Sequence, residues 1–125
     1  MILRQVAGVL DVSVWRDGAR TVVEVGGEVD AYSSPRLRDA LAGVSAESRH
    51  LVAVDMSGVT FMDSSGLGVL VGAVKRAKAG QGALCLFGCA EHILRVLRIT
   101  GLVRVMPPFA NRDEALAHLD AEVAV

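Results

Sequence analysis

The segment Val59-Thr60-Phe61-Met62-Asp63-Ser64-Ser65-Gly66-Leu67-Gly68 puts one carboxylate, two hydroxyls and two glycines where an apolar run gives way to a helical pattern. The first turn of a helix carries unpaired N–H groups and the positive end of the helix dipole, so a serine or an anion is well placed there. A serine in that position is ordinarily an N-cap, and Ser64 is the natural candidate. Two glycines so close to a helix start each cost roughly 1 kcal/mol against alanine, which points to a close approach of some other backbone. Nucleophilic catalysis needs a base within hydrogen-bond reach. The three histidines, His50, His92 and His118, are scattered, and the segment is neither Gly-x-Ser-x-Gly nor a phosphate-cradling P-loop. An exposed serine at a helix start can instead be a substrate. A phosphate there would add about −1.5 to −2 charges beside Asp63 and block a surface without changing the fold.

The composition narrows the function classes further. The chain has 125 residues, 52% hydrophobic and 22% charged, which is enough apolar side chain for one core and too much for a disordered chain. Thirteen Lys and Arg against 14 Asp and Glu leave a net charge of −1, without the basic patch of a nucleic-acid binder. Ala79 to Ala90, the longest stretch without a charge, holds three glycines and falls well short of the ~20 apolar residues of a membrane span. Met1 to Asp11 does not read as a signal peptide, and the expected location is cytoplasmic. Cys85 and Cys89 are too few for a cysteine zinc site; packing is their expected role, with a redox pair as the alternative.

The elements that must position the segment follow from periodicity and turn signals. Val9 to Trp15 and Thr21 to Val25 are β-branched runs around Asp17-Gly18, which predicts an opening antiparallel hairpin. Ser34-Pro35 precedes Leu37, Leu41 and Val44 at helical spacing, predicting a helix over 34–46 with Ser34 as its cap. Leu51 to Asp55 reads as a buried strand, Gly66 to Ala79 as a helix, Ala83 to Phe87 as a strand and Glu91 to Ile99 as a helix. Val103 to Met106 reads as a last strand and Asp113 to Val123 as a last helix. The expected fold class is therefore α/β, one domain over residues 1–125, with a mixed sheet, four helices and the order ββαβαβαβα.

Phe61 to Gly68 resembles the signature of the bacterial anti-sigma factor antagonists, single-domain members of the STAS superfamily. Gly27-Glu28-Val29-Asp30 is similar to the family's Gly-Glu-Leu-Asp at the end of the second strand, with Ser33 and Leu37 following at family positions. Leu51 to Asp55 resembles the central strand, and Thr100-Gly101-Leu102 with Asp113-Glu114-Ala115-Leu116 resembles the C-terminal pattern. The resemblance implies a STAS-like domain that is not an enzyme and uses no cofactor or metal. It implies binding of the unphosphorylated form to an anti-sigma factor serine kinase, with release of the sigma factor. Phosphorylation at Ser64 ends that binding and a metal-dependent serine phosphatase restores it. The partner-facing residues it implies are Asp30, Ser33, Asp63, Ser64, Ser65, Gly66 and Leu67. A STAS scaffold in a stress-sensing complex is the alternative. A phosphoacceptor receiver domain using Asp55 is a weaker rival, because the acidic cluster after the first strand and a lysine after the last strand are both missing.

Overall fold

The computed structural model describes residues 10–47 and 50–123. Strand β1 (Asp11–Asp17) turns into β2 (Arg20–Val29), followed by α1 (Ser34–Glu47), β3 (Leu51–Met62), α2 (Ser64–Ala79), β4 (Ala83–Phe87), α3 (Glu91–Thr100), a 3₁₀ turn (Leu102–Arg104), β5 (Pro108–Phe109) and α4 (Arg112–Val123). The strands lie in the order β1-β2-β3-β4-β5; the first pair is antiparallel and the other three are parallel. The expected order ββαβαβαβα is the observed one. Asp17 pairs with Arg20 across the hairpin, and Gly18 takes the first loop position at φ 65°, a conformation open to glycine at little cost.

Strand alternation sends two sets of side chains to opposite faces. Val23, Val25, Val29, Val52, Val54 and Leu84 pack with Leu37, Leu41, Leu70, Val74 and Leu97, so α1, α2 and α3 cover one face. Val22, Leu51, Ala53, Cys85 and Phe87 pack with Ala115, Leu116 and Leu119 of α4 on the other. Two ion pairs tie α4 to the hairpin: Arg20 with Asp120 at 2.9 Å and Arg112 with Asp17 at 3.1 Å.

The structure corrects two strand assignments and one cap. Val103 to Met106 is not a strand. Gly101, left-handed at φ 80°, ends α3 and lets the chain fold into i→i+3 bonds, Arg104 N–H to Gly101 O and Val105 N–H to Leu102 O. Met106 drops into the core, and pairing with β4 begins only at Pro108. Helix α1 starts at Ser34 itself, whose N–H donates to Asp30 O at 2.8 Å. Strand β3 runs on from Asp55 to Met62, and this extension carries the candidate site beyond the sheet's body.

The two cysteines are free and lie in different clusters, Cys85 in the α4-side core and Cys89 against the core under α1–α3. Burial raises their thiols to about 12 and about 11, away from thiolate chemistry.

Candidate functional site

The ends of β2 and β3 are in register, Val29 opposite Met62, and Asp63 N–H donates to Val29 O at 3.1 Å. Each strand then leaves the sheet through an aspartate, Asp30 and Asp63. Both carboxylates are spent on organising the backbone that follows them.

Asp30 Oδ1 accepts from Tyr32 N–H at 3.0 Å and from Ser33 N–H at 2.9 Å. Ser33 Oγ donates to Glu28 O at 2.7 Å and accepts from Asp30 N–H at 3.0 Å, closing the loop on itself. The Ser33 backbone N–H above all, helped by the Ser33 hydroxyl and the Tyr32 N–H, holds the Asp30 carboxyl below its ordinary value of 3.8. Ser33 is only 7% exposed. Its hydroxyl acts as an internal clamp that sets the approach to α1.

Asp63, and not Ser64, caps α2. Its backbone is extended (φ −101°, ψ −170°), and Oδ1 accepts from Ser65 N–H at 2.8 Å and from Gly66 N–H at 3.4 Å. A carboxylate on the helix's first free donors complements both the unpaired N–H groups and the dipole. Ser64, relieved of capping, is the exposed first residue of α2, and Ser65 is half-buried. Leu67 is half-buried against the core.

Gly66 faces inward. A Cβ there would stand 2.7 Å from both Val29 Cγ1 and Met62 Cγ, so the close approach that its glycine permits is with the chain's own strand ends. A leucine at this position would not project toward a partner. Gly68 is the exposed glycine of this turn, with nothing within 4 Å of a Cβ added to it. Two aromatic side chains that the sequence reading did not single out belong to the same strand ends, Tyr32 at 89% exposed and Phe61 at 46%. Their signal was in the sequence: one aromatic residue two positions after Asp30 and another two positions before Asp63.

Among the described residues, no cluster of three or more His, Cys, Asp or Glu is arranged to hold a metal ion, and no helix is long and apolar enough to cross a membrane. Asp55 accepts from Ser57 N–H at 2.9 Å.

This arrangement, two carboxylate-organised strand ends with one exposed serine at a capped helix start, coincides with a family match. The model of the STAS domain matches residues 12–115. The chain belongs to the STAS-domain family. Within it, the chain's relatives include anti-sigma-B factor antagonists. An anti-sigma-B factor antagonist of Listeria monocytogenes is 39% identical over 87 residues, which cover 70% of this STAS chain and 76% of that protein. An anti-sigma-B factor antagonist of Staphylococcus epidermidis is 40% identical over 84 residues, 67% of this chain and 78% of that one. The crystal structure of an anti-sigma factor antagonist from Mycobacterium paratuberculosis superposes with a TM-score of 0.81 at 26% identity, covering 89% of this chain and 94% of that one.

Proposed function

We propose that this STAS protein is a cytoplasmic anti-sigma factor antagonist that docks through the start of α2 and is switched by phosphorylation of Ser64. The partner is an anti-sigma factor that is itself a serine kinase, and a metal-dependent serine phosphatase returns the protein to its binding form. The observation that carries the reading is the division of labour at the helix start. Asp63 takes the capping bonds, so Ser64 has its hydroxyl in solvent and no part in holding the fold.

The electrostatics support a switch rather than a refolding. Residues 51–74 contain no Lys or Arg, so a phosphate on Ser64 has no cation within its own segment to pair with. The first helical donors are already held by a carboxylate, which turns the new charge outward and adds to the charge of Asp63. A docking face that gains an uncompensated double charge loses several kcal/mol of affinity. Asp30, Ser33 and Gly66 act in this scheme by fixing the two strand ends, while Ser64, Ser65, Leu67 and the neighbouring Tyr32, Phe61 and Gly68 offer contact area.

Titration of the cognate anti-sigma factor with wild-type protein, Ser64→Ala and Ser64→Asp tests the proposal. Ser64→Ala is expected to bind like wild type and to stay bound in the presence of ATP, while Ser64→Asp loses roughly 100-fold or more, with melting temperatures alike. Equal affinities of the two variants, or a phosphate found by peptide mass spectrometry on Ser65 or nowhere in residues 59–68, would overturn it.

A further inference from the structure

The fold gathers cations at one end of the molecule. Between Lys75 and Arg104 the only carboxylate is Glu91, against Lys75, Arg76, Lys78, Arg95, Arg98 and Arg104. Strands β3, β4 and β5 are parallel, and α2 and α3 each lead from the end of one strand back toward the start of the next. Both helices lie on the same face of the sheet and therefore finish at the same end, the one remote from Ser64.

The fold leaves most of this charge unused. All of these cations except Arg76 are exposed. Arg98 takes Glu91 at 2.7 Å, and Lys75, Lys78, Arg95 and Arg104 have no ion-pair partner among the described residues. Lys78 stands in the last turn of α2, where a cation suits the helix dipole, but Lys75 and Arg95 are set further back. Aliphatic side chains protrude among the charges. Ile99 is 77% exposed, four residues after Arg95 and so on the same face of α3; Val96 and Val105 are 38% and 37% exposed. Single exposed aliphatics are ordinary, but three in one helix and turn beside unpaired cations have the composition of an interfacial surface.

We infer that this end of the α2–α3 face docks on an anionic lipid membrane, with Ile99 between the headgroups and the lysines and arginines on their phosphates. The positive charge calls for an anionic surface, and the aliphatic side chains call for an apolar boundary beneath it. A nucleic acid offers phosphates without that boundary, and the exposed aromatic residues on which bases could stack, Trp15, Tyr32 and Phe61, lie outside α2, α3 and the 3₁₀ turn. The contact is peripheral, since no described helix is long and apolar enough to cross a membrane. It leaves Ser64, at the opposite end, turned away from the lipid.

Sedimentation of the full chain with vesicles tests this, using equimolar phosphatidylglycerol and phosphatidylcholine against phosphatidylcholine alone. Saturable binding to the anionic vesicles is expected at low salt, weaker as salt is raised, with none to phosphatidylcholine alone. Each basic side chain at such a surface contributes about fivefold, so the double variant Arg95→Gln, Arg104→Gln should bind roughly 25-fold more weakly. Ile99→Ser should bind roughly tenfold more weakly at unchanged charge, with Ile99→Ala as a second truncation should serine disturb the helix. These positions are exposed, and circular dichroism should show the native fold for each variant. The inference is overturned if the wild type stays in the supernatant with anionic vesicles, if phosphatidylcholine alone binds it as well, or if either folded variant binds like wild type. It is equally overturned if a short DNA duplex is bound as tightly as the anionic vesicles, the result of a surface built for nucleic acid.

Discussion

Replacing Gly66 by alanine adds one methyl group at a point where the structure leaves no room for it. The new carbon would sit 2.7 Å from Val29 Cγ1, 2.7 Å from Met62 Cγ and 3.2 Å from Val29 Cβ, against a comfortable carbon separation of about 3.5–4.0 Å. Met62 can move, being unbranched. Val29 cannot move cheaply: it is wholly buried, β-branched and held in the β2–β3 ladder. Overpacking of this kind costs about 1–3 kcal/mol, while alanine returns up to about 1 kcal/mol of helix propensity. The net expectation is a loss of about 1 kcal/mol for Gly66→Ala and about 3 kcal/mol or more for Gly66→Leu. Gly68→Ala, two residues along the same helix with open space around its Cβ, should instead gain up to about 1 kcal/mol. Urea denaturation read by circular dichroism measures all three, and at this chain length each kcal/mol moves the melting temperature by about 4 °C. If Gly66→Ala is as stable as wild type, or Gly68→Ala is less stable, the assignment of Gly66 to packing and Gly68 to the open surface is wrong.

Asp63→Ala should lower stability by about 1 kcal/mol, because Ser65 and Gly66 lose their acceptor, and Asp63→Asn should recover much of it; an unchanged melting temperature for the alanine variant would show that the cap contributes nothing. Asp30 is held below 3.8 in the native state, so its contribution to stability is fully present above that value and lost as pH falls below it. The stability gap between wild type and Asp30→Asn should therefore close on acidification below 3.8, and a gap that stays constant to lower pH contradicts the bonds drawn to Ser33 and Tyr32. Cys85 and Cys89 ionise at about 12 and about 11 in the native state against 9.0 in the unfolded chain, so stability should fall as pH rises above 9.0. Native protein near neutral pH should accordingly react slowly with a thiol-specific disulfide reagent and quickly once unfolded. Fast labelling of the native form would place the thiols in solvent.

Local signals carried much of the architecture. Asp17-Gly18 between two β-branched runs signals a hairpin of this kind, and the change from short apolar runs to helical spacing after residues 30, 63 and 90 precedes the first three of the four helices. These are interactions within a turn or two of the chain, so the residues that cause them stand side by side in the sequence. The exposed serine at the head of α2 was legible for the same reason. The cap itself was misread by one residue, because aspartate and serine are near-equal caps and the extended backbone at Asp63 is set by its bond to Val29. The last strand was misplaced because Val103-Arg104-Val105 alternates like a strand, whereas Gly101 turns it into a 3₁₀ turn.

What only the tertiary structure decided is which way the site's residues face. Gly66 is enclosed by Val29 and Met62, and Ser33 by the carbonyl of Glu28. The cysteines, four residues apart, are split between the two cores by the plane of the sheet. The family resemblance grouped the site residues and the sequence set the two cysteines side by side, but a residue's exposure depends on what another strand or helix brings against it. That depends on register, and here the pairing of Val29 with Met62 turned Gly66 inward and left Ser64 facing solvent.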